Sequence, residues 1–219
     1  MVGSASQRPR YADVRDDLKT GDLVLFSGSS FFSSVIKWAV GGNWSHVGVV
    51  VRLAQFPGRL LLWESTTLAD LPDVETGTKQ AGVQLVYLSE RLAGYDGKFK
   101  LRPLDKPVTP EMAAALDRKR LELRGRPYEQ EKLDLINAAF DGWFGQSKGE
   151  RLTSLFCSEL VAEAYQAMGL LPEPPHGPPS NEYTPRDFAR RGAKLLGGYA
   201  LGRVVQIGRR GLRLTRGAK

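Results

Sequence analysis

Short β-branched runs fill the first half of the chain, and longer helical periods fill the second. His46 to Arg52, HVGVVVR, is the clearest strand: brief, β-branched and bounded by turn signals. Leu18 to Phe26, LKTGDLVLF, reads as a turn at Gly21-Asp22 followed by a strand. Arg59 to Thr66, RLLLWEST, predicts a second strand, and the short Gln55 to Gly58 link predicts a hairpin with HVGVVVR. Gly82 to Leu88 and Lys98 to Arg102 continue the series. Between the first two strands, residues 27–44 mix a Ser/Gly loop with an apolar stretch, Phe31 to Val40, that predicts one or two helical turns before Gly41-Gly42-Asn43.

Helical signals then take over. Thr109-Pro110-Glu111 combines an N-cap, a proline at the first helical position and an acid in the first turn, predicting a helix to about Leu123. A second helical segment is expected over Leu133 to Phe140. Thr153 or Ser154 reads as the cap of a third helix, with Leu160, Val161, Ala164 and Met168 at helical spacing and Gly169 as its stop. Pro172 to Ser180 reads as an extended proline-rich loop, Thr184-Pro185 as the start of a short helix, and Ala200 to Ile207 as a last strand. Strands followed by helices, with no internal repeat, predict an α+β fold. Three regions follow: a polar lead-in over 1–17, a body over 18–207 and a basic tail over 208–219.

Composition narrows the function classes. A chain of 219 residues with 42% hydrophobic content suits one domain with a real core. No apolar run approaches the roughly 18 residues of a membrane span. The first seventeen residues lack the apolar region of a secretory signal, so the cytoplasm is the default expectation. The formal net charge is +7, and Arg203, Arg209, Arg210, Arg213, Arg216 and Lys219 crowd the end. That end suits either an anionic partner, such as a membrane surface or an envelope polymer, or a solvated tail. No nucleic-acid motif accompanies the charge, so nucleic acid is not an expected partner. One cysteine rules out an internal disulfide and a zinc site built from several cysteines.

That cysteine, Cys157 in TSLFCSEL, has two readings. Free cysteines are commonly buried packing residues. A thiol in the first turn of a helix, near an imidazole, is instead favoured as the thiolate that attacks carbonyls. There are two histidines. His176 lies in the proline-rich loop, where exposure is expected. His46 opens the β-branched strand directly after a Gly-rich segment, where it serves either structure or base chemistry. Glu64 interrupts an apolar strand: alternation sets Leu60, Leu62 and Glu64 on one face and Leu61 and Trp63 on the other. A carboxylate there either ends the strand in water or pairs with a buried partner. The hairpin would put His46 and Glu64 on adjacent strands and one face, the arrangement by which a third group orients a base.

GDLVLF at Gly21 to Phe26, WSHVGVVV at Trp44 to Val51, the carboxylate in LLWEST and FCSELVAEAY at Phe156 to Tyr165 together resemble the permuted papain-like cysteine enzymes of the NlpC superfamily, in particular the YiiX-like group. The order carries the resemblance, because His46 precedes Cys157 by over a hundred residues, as in the circularly permuted branch. It implies an antiparallel sheet packed against helices, with the cysteine at a helix N-terminus. It also implies Cys157 as nucleophile, His46 as base and Glu64 as the residue that orients the imidazole. Tyr128 resembles a tyrosine that lines such sites or serves the oxyanion; a half-buried aromatic at a helix junction is the alternative. Trp44, Ser45 and Trp38 are the expected substrate-binding positions, and Ser27 to Trp38 forms a cleft wall or packs on the core. The closing Tyr183-Thr184-Pro185 matches a structural element. The implied activity is cleavage of an amide bond in a peptide, a murein peptide or an acylated amine, through a thioacyl-enzyme. An acyltransferase or lipid hydrolase with the same triad is an alternative, and a non-catalytic ligand-binding module another. Related lecithin retinol acyltransferase-like enzymes carry Asn-Cys where this chain has Phe156-Cys157. No metal or organic cofactor is implied.

Overall fold

Alternation along the strands produces a sheet with two apolar faces. The computed structural model describes residues 9–28, 44–127, 146–189, 193–208 and 212. Six strands, β1 (Leu23–Gly28), β2 (His46–Val51), β3 (Leu61–Thr66), β4 (Gly82–Tyr87), β5 (Gly97–Arg102) and β6 (Val205–Gln206), form one antiparallel sheet in the order β4-β3-β2-β1-β5-β6. Among the described residues five α-helices accompany it: α1 (Tyr11–Val14), α2 (Leu88–Gly94), α3 (Pro110–Glu122), α4 (Gln146–Ala167) and α5 (Pro185–Ala189). The architecture is α+β, as the order of signals predicts.

Odd positions of β1, β2 and β3 supply Leu23, Leu25, Val47, Val49, Val51, Leu61 and Trp63 to a core shared with Leu160, Val161, Ala164 and Tyr165 of α4. Even positions supply Val24, Phe26, Val50 and Leu62 to a second core with Leu88 and Leu92 of α2. Each such side chain contributes roughly 1.5–3 kcal/mol by leaving water. Strands buried on both faces read as continuous apolar runs, which is why HVGVVV carries no polar position beyond His46.

Local signals set the helix ends. Thr109 Oγ1 accepts from the Met112 N–H at 3.3 Å, capping α3 ahead of Pro110. Gly169, at φ +69°, closes α4 in a Schellman turn: Leu170 N–H donates to Tyr165 O at 2.7 Å and Gly169 N–H to Gln166 O at 2.8 Å. Long-range bonds then hold α4 against the sheet. Tyr165 Oη donates to Gly21 O, and Ser158 Oγ donates to Tyr183 O, both at 2.7 Å.

Three expectations change. Residues 9–17 are not a loose lead-in: Tyr11 is buried in the second core, and Gly208 N–H donates to Pro9 O at 2.9 Å. An aromatic inside a polar stretch is enough to anchor it. The last strand shrinks from Ala200–Ile207 to Val205–Gln206, because Gly202 N–H turns to Pro103 O at 2.7 Å. The helix that holds Cys157 starts at Gln146 and not at Thr153 or Ser154. The expected elements at 31–40 and 133–140 lie outside the described residues, as does the basic tail beyond Gly208 apart from Leu212. Among the described residues, no helix is long and apolar enough to cross a membrane.

Candidate active site

His46 is the first residue of β2 and Glu64 the fourth of β3, its neighbour in the sheet. Alternation turns both toward the second core, and the His46 ring lies 5.4 Å from the Phe26 ring. His46 Nε2 and Glu64 Oε2 are 2.7 Å apart. Cys157 reaches the imidazole from α4, across the other core, and hydrogen-bonds with it. Glu64 occupies Nε2, which leaves Nδ1 as the ring nitrogen for the thiol. The structure thus joins the three positions singled out in the sequence, through the imidazole.

The carboxylate is held from behind. Glu64 Oε1 accepts from Arg91 Nε at 2.8 Å and from Gln84 Nε2 at 3.0 Å. Arg91 Nη1 donates to both oxygens of Asp70 at 3.0 Å. Glu64 is 0% exposed and Arg91 1%, so this is a buried ion pair, in which Arg91 Nη2 and Gln84 Oε1 are left without hydrogen-bond partners among the described residues. Burial pushes the Glu64 carboxyl up, but the Arg91 charge, then the His46 and Gln84 hydrogen bonds, outweigh it and hold the carboxyl down at about 2. Burial pulls the His46 imidazole down, yet the hydrogen bonds and charges of Cys157 and Glu64 carry it up to about 9. His46 is therefore a cation at neutral pH.

Sequence reasoning missed Arg91, Gln84, Asp70 and Tyr95. Gln84 left a signal: it is a polar residue in the apolar run GVQLVY, and it sits directly opposite Glu64 in the β3–β4 ladder. Arg91 left none, since an arginine in LSERLAG reads as a solvated helix position. Tyr95 follows α2, and its ring packs edge-on against Phe26, centroids 4.9 Å apart. Burial, against the opposing Arg91 charge, pushes the Tyr95 hydroxyl up to about 12.

The other expected positions are distributed differently. Ser45 Oγ donates to Phe26 O at 3.2 Å, so its hydroxyl is engaged within the fold. Trp44 packs on the α4-side core, with Lys100 Nζ 4.9 Å from its ring centroid. Trp38 and Tyr128 lie outside the described residues. Tyr183-Thr184-Pro185 has local bonding: Thr184 N–H and Oγ1 donate to Asp187 Oδ2 at 2.8 and 2.7 Å, at the start of α5.

The expected helix N-terminus at Cys157 is corrected. Cys157 is the twelfth residue of the 22-residue α4, three turns inside it. Its N–H is committed to the helix ladder, so neither unpaired N–H groups nor the helix dipole act on the thiol. Thr153-Ser154 resembles a cap, but Lys148, Glu150, Arg151 and Leu152 before it are good helix formers that carry the helix through. Cys157 is also fully buried. A shallow cleft opens beside the trio and not over it: Ser65 and Phe156, chain neighbours of Glu64 and Cys157, line it together with Glu159, Leu160 and Glu163. Among the described residues, no group of three or more His, Cys, Asp or Glu side chains is arranged to hold a metal ion.

No protein-family model matches the chain. No curated protein matches it either. Among solved structures, the chain is similar to metalloprotein YiiX from Escherichia coli O157:H7, at 20% identity and a TM-score of 0.43. The match covers 68% of this chain and 65% of that one.

Proposed function

We propose that the protein is a cysteine hydrolase that cleaves an amide bond in a peptide, a murein peptide or an acylated amine, on a permuted papain-like fold of the NlpC superfamily, YiiX-like group. The observation that carries this reading is the imidazole of His46 bonded on one side to Cys157 and on the other to Glu64. Base, orienting carboxylate and candidate nucleophile stand in the relation that nucleophilic catalysis needs.

In this mechanism the Cys157 sulfur, its proton already carried at Nδ1 by the His46 cation, attacks the substrate carbonyl carbon. The C–N bond breaks as His46 returns the proton to the leaving amine, and a thioester remains on Cys157. A water then attacks the thioester carbonyl while His46 accepts its proton; the acid leaves and the thiol is restored. Glu64 holds the imidazole in one orientation throughout and stabilises its cation.

The burial of Cys157 favours a second reading, a core thiol in a ligand-binding module. Iodoacetamide alkylation of Cys157 from pH 4 to 10, in the native chain and in His46→Ala, separates the two. Reaction that persists well below pH 8 and is slowed or shifted upward in His46→Ala supports the hydrolase. Reaction that titrates near the ordinary thiol value of about 8.5 in both proteins supports the module. Amide and acyl-lipid substrates then distinguish the hydrolase from an acyltransferase or lipid hydrolase with the same trio.

A further inference from the structure

We propose that Arg91 is the positioning residue of this site: it fixes which oxygen of Glu64 meets His46 and keeps that carboxylate charged. The role rests on the hydrolase reading, and it concerns a helix, α2, that contributes no member of the trio.

Arg91 Nε lies 2.8 Å from Glu64 Oε1 and Nη1 lies 3.0 Å from each Asp70 oxygen. The planar guanidinium therefore clamps two carboxylates at once, a geometry that lysine cannot reproduce. With Gln84 also on Oε1, that oxygen is taken and Oε2 is left to the imidazole at 2.7 Å. The groups that face Glu64 are His46 from β2, Gln84 from β4 and Arg91 from α2. Asp70 lies behind Arg91, and Cys157 of α4 and Tyr95 lie around the imidazole. Arg91 is the permanent cation of this set, and its charge does most to offset the burial of Glu64. Four residues on, the Tyr95 ring packs edge-on against Phe26, which in turn lies against the His46 ring.

The test is Arg91→Met, which keeps an apolar stem and removes the fork. Two readouts are taken: the Glu64 side-chain carboxyl titration by 13C NMR, and Cys157 alkylation between pH 4 and 6. The Glu64 midpoint is expected to rise from about 2 to above its ordinary 4.5. Alkylation at pH 4 to 6 is expected to fall by about tenfold, the equivalent of one pH unit. In a Glu64→Gln background, Arg91→Met is expected to leave the alkylation profile unchanged. A folded Arg91→Met whose Glu64 midpoint and alkylation match the native chain overturns the proposal. An equal loss of alkylation in the Glu64→Gln background also overturns it, because it marks a purely structural arginine. If Arg91→Met does not fold, Arg91→Lys decides: slower alkylation with a smaller rise in the Glu64 midpoint supports the clamp, and identity with the native chain overturns it. Alkylation of the native chain that ignores His46 sinks the hydrolase reading alone, and the Glu64 titration still decides the role of Arg91.

Discussion

Gln84 stands directly across from Glu64 in the β3–β4 ladder, and its amide donates to the oxygen that Arg91 also takes. One buried carboxylate thus receives two donors on Oε1 and the imidazole on Oε2. Glu64→Gln retains the shape but removes the charge that Arg91 and His46 face. Removing one partner of a buried ion pair costs about 3–5 kcal/mol. Urea unfolding at pH 7 is predicted to show a loss of that order, and NMR is predicted to show the His46 midpoint falling from about 9. A loss within ~0.5 kcal/mol, the size of a surface substitution, would mean that the network is not formed.

Stability is predicted to depend on pH through these two groups in opposite ways. His46 is raised from 6.5 to about 9 in the fold, so its contribution is complete below 6.5 and is lost as pH rises through 9. Glu64 is lowered from 4.5 to about 2, so its contribution is complete above 4.5 and is lost as pH falls through 2. The two windows leave a plateau between pH 4.5 and 6.5. The His46 limb is worth at most about 3 kcal/mol. Denaturant midpoints measured from pH 5 to 10 are predicted to fall on the alkaline side in the native chain and to fall less in His46→Ala. Parallel curves for the two proteins would exclude a linked His46.

The depth of Cys157 in α4 makes a separate prediction. Ser154 would sit at the first helical position if the helix began at Thr153, and proline is welcome there. In the observed helix it is an interior residue, where proline removes a ladder bond and costs about 3 kcal/mol or more. Ser154→Pro is predicted to lower the unfolding free energy by that amount. Unchanged or higher stability would return Cys157 to a helix start.

Gly48 lies between His46 and the Val49–Trp63 pair. A Cβ there would meet Leu62 Cδ1 at 2.8 Å and Trp63 O at 3.2 Å. Overpacking of this kind costs about 1–3 kcal/mol. Gly48→Ala is predicted to lower the thermal midpoint and, by spreading β2 from β3, to slow Cys157 alkylation more than its stability loss explains. A variant as stable and as reactive as the native chain would show that the two strands have slack.

The amino-acid sequence by itself determined what depends on near neighbours. Period-two alternation placed Leu62 with Glu64 and Leu61 with Trp63 on opposite faces, and the two cores follow that division. Thr109-Pro110 and Gly169 set helix ends because capping is a matter of a few adjacent backbone groups. The hairpin put His46 and Glu64 on adjacent strands and one face of the sheet, as period-two alternation requires. Only the tertiary structure decided what backs that pair. Arg91 and Tyr95 reach the site because α2 docks on the even-numbered face, and a charged residue on a short helix carries no mark of such a fate. The position of Cys157 within α4 was equally out of reach. A Thr-Ser pair is compatible with a cap or an interior, and only the continuation of the helix upstream to Gln146 separates the two.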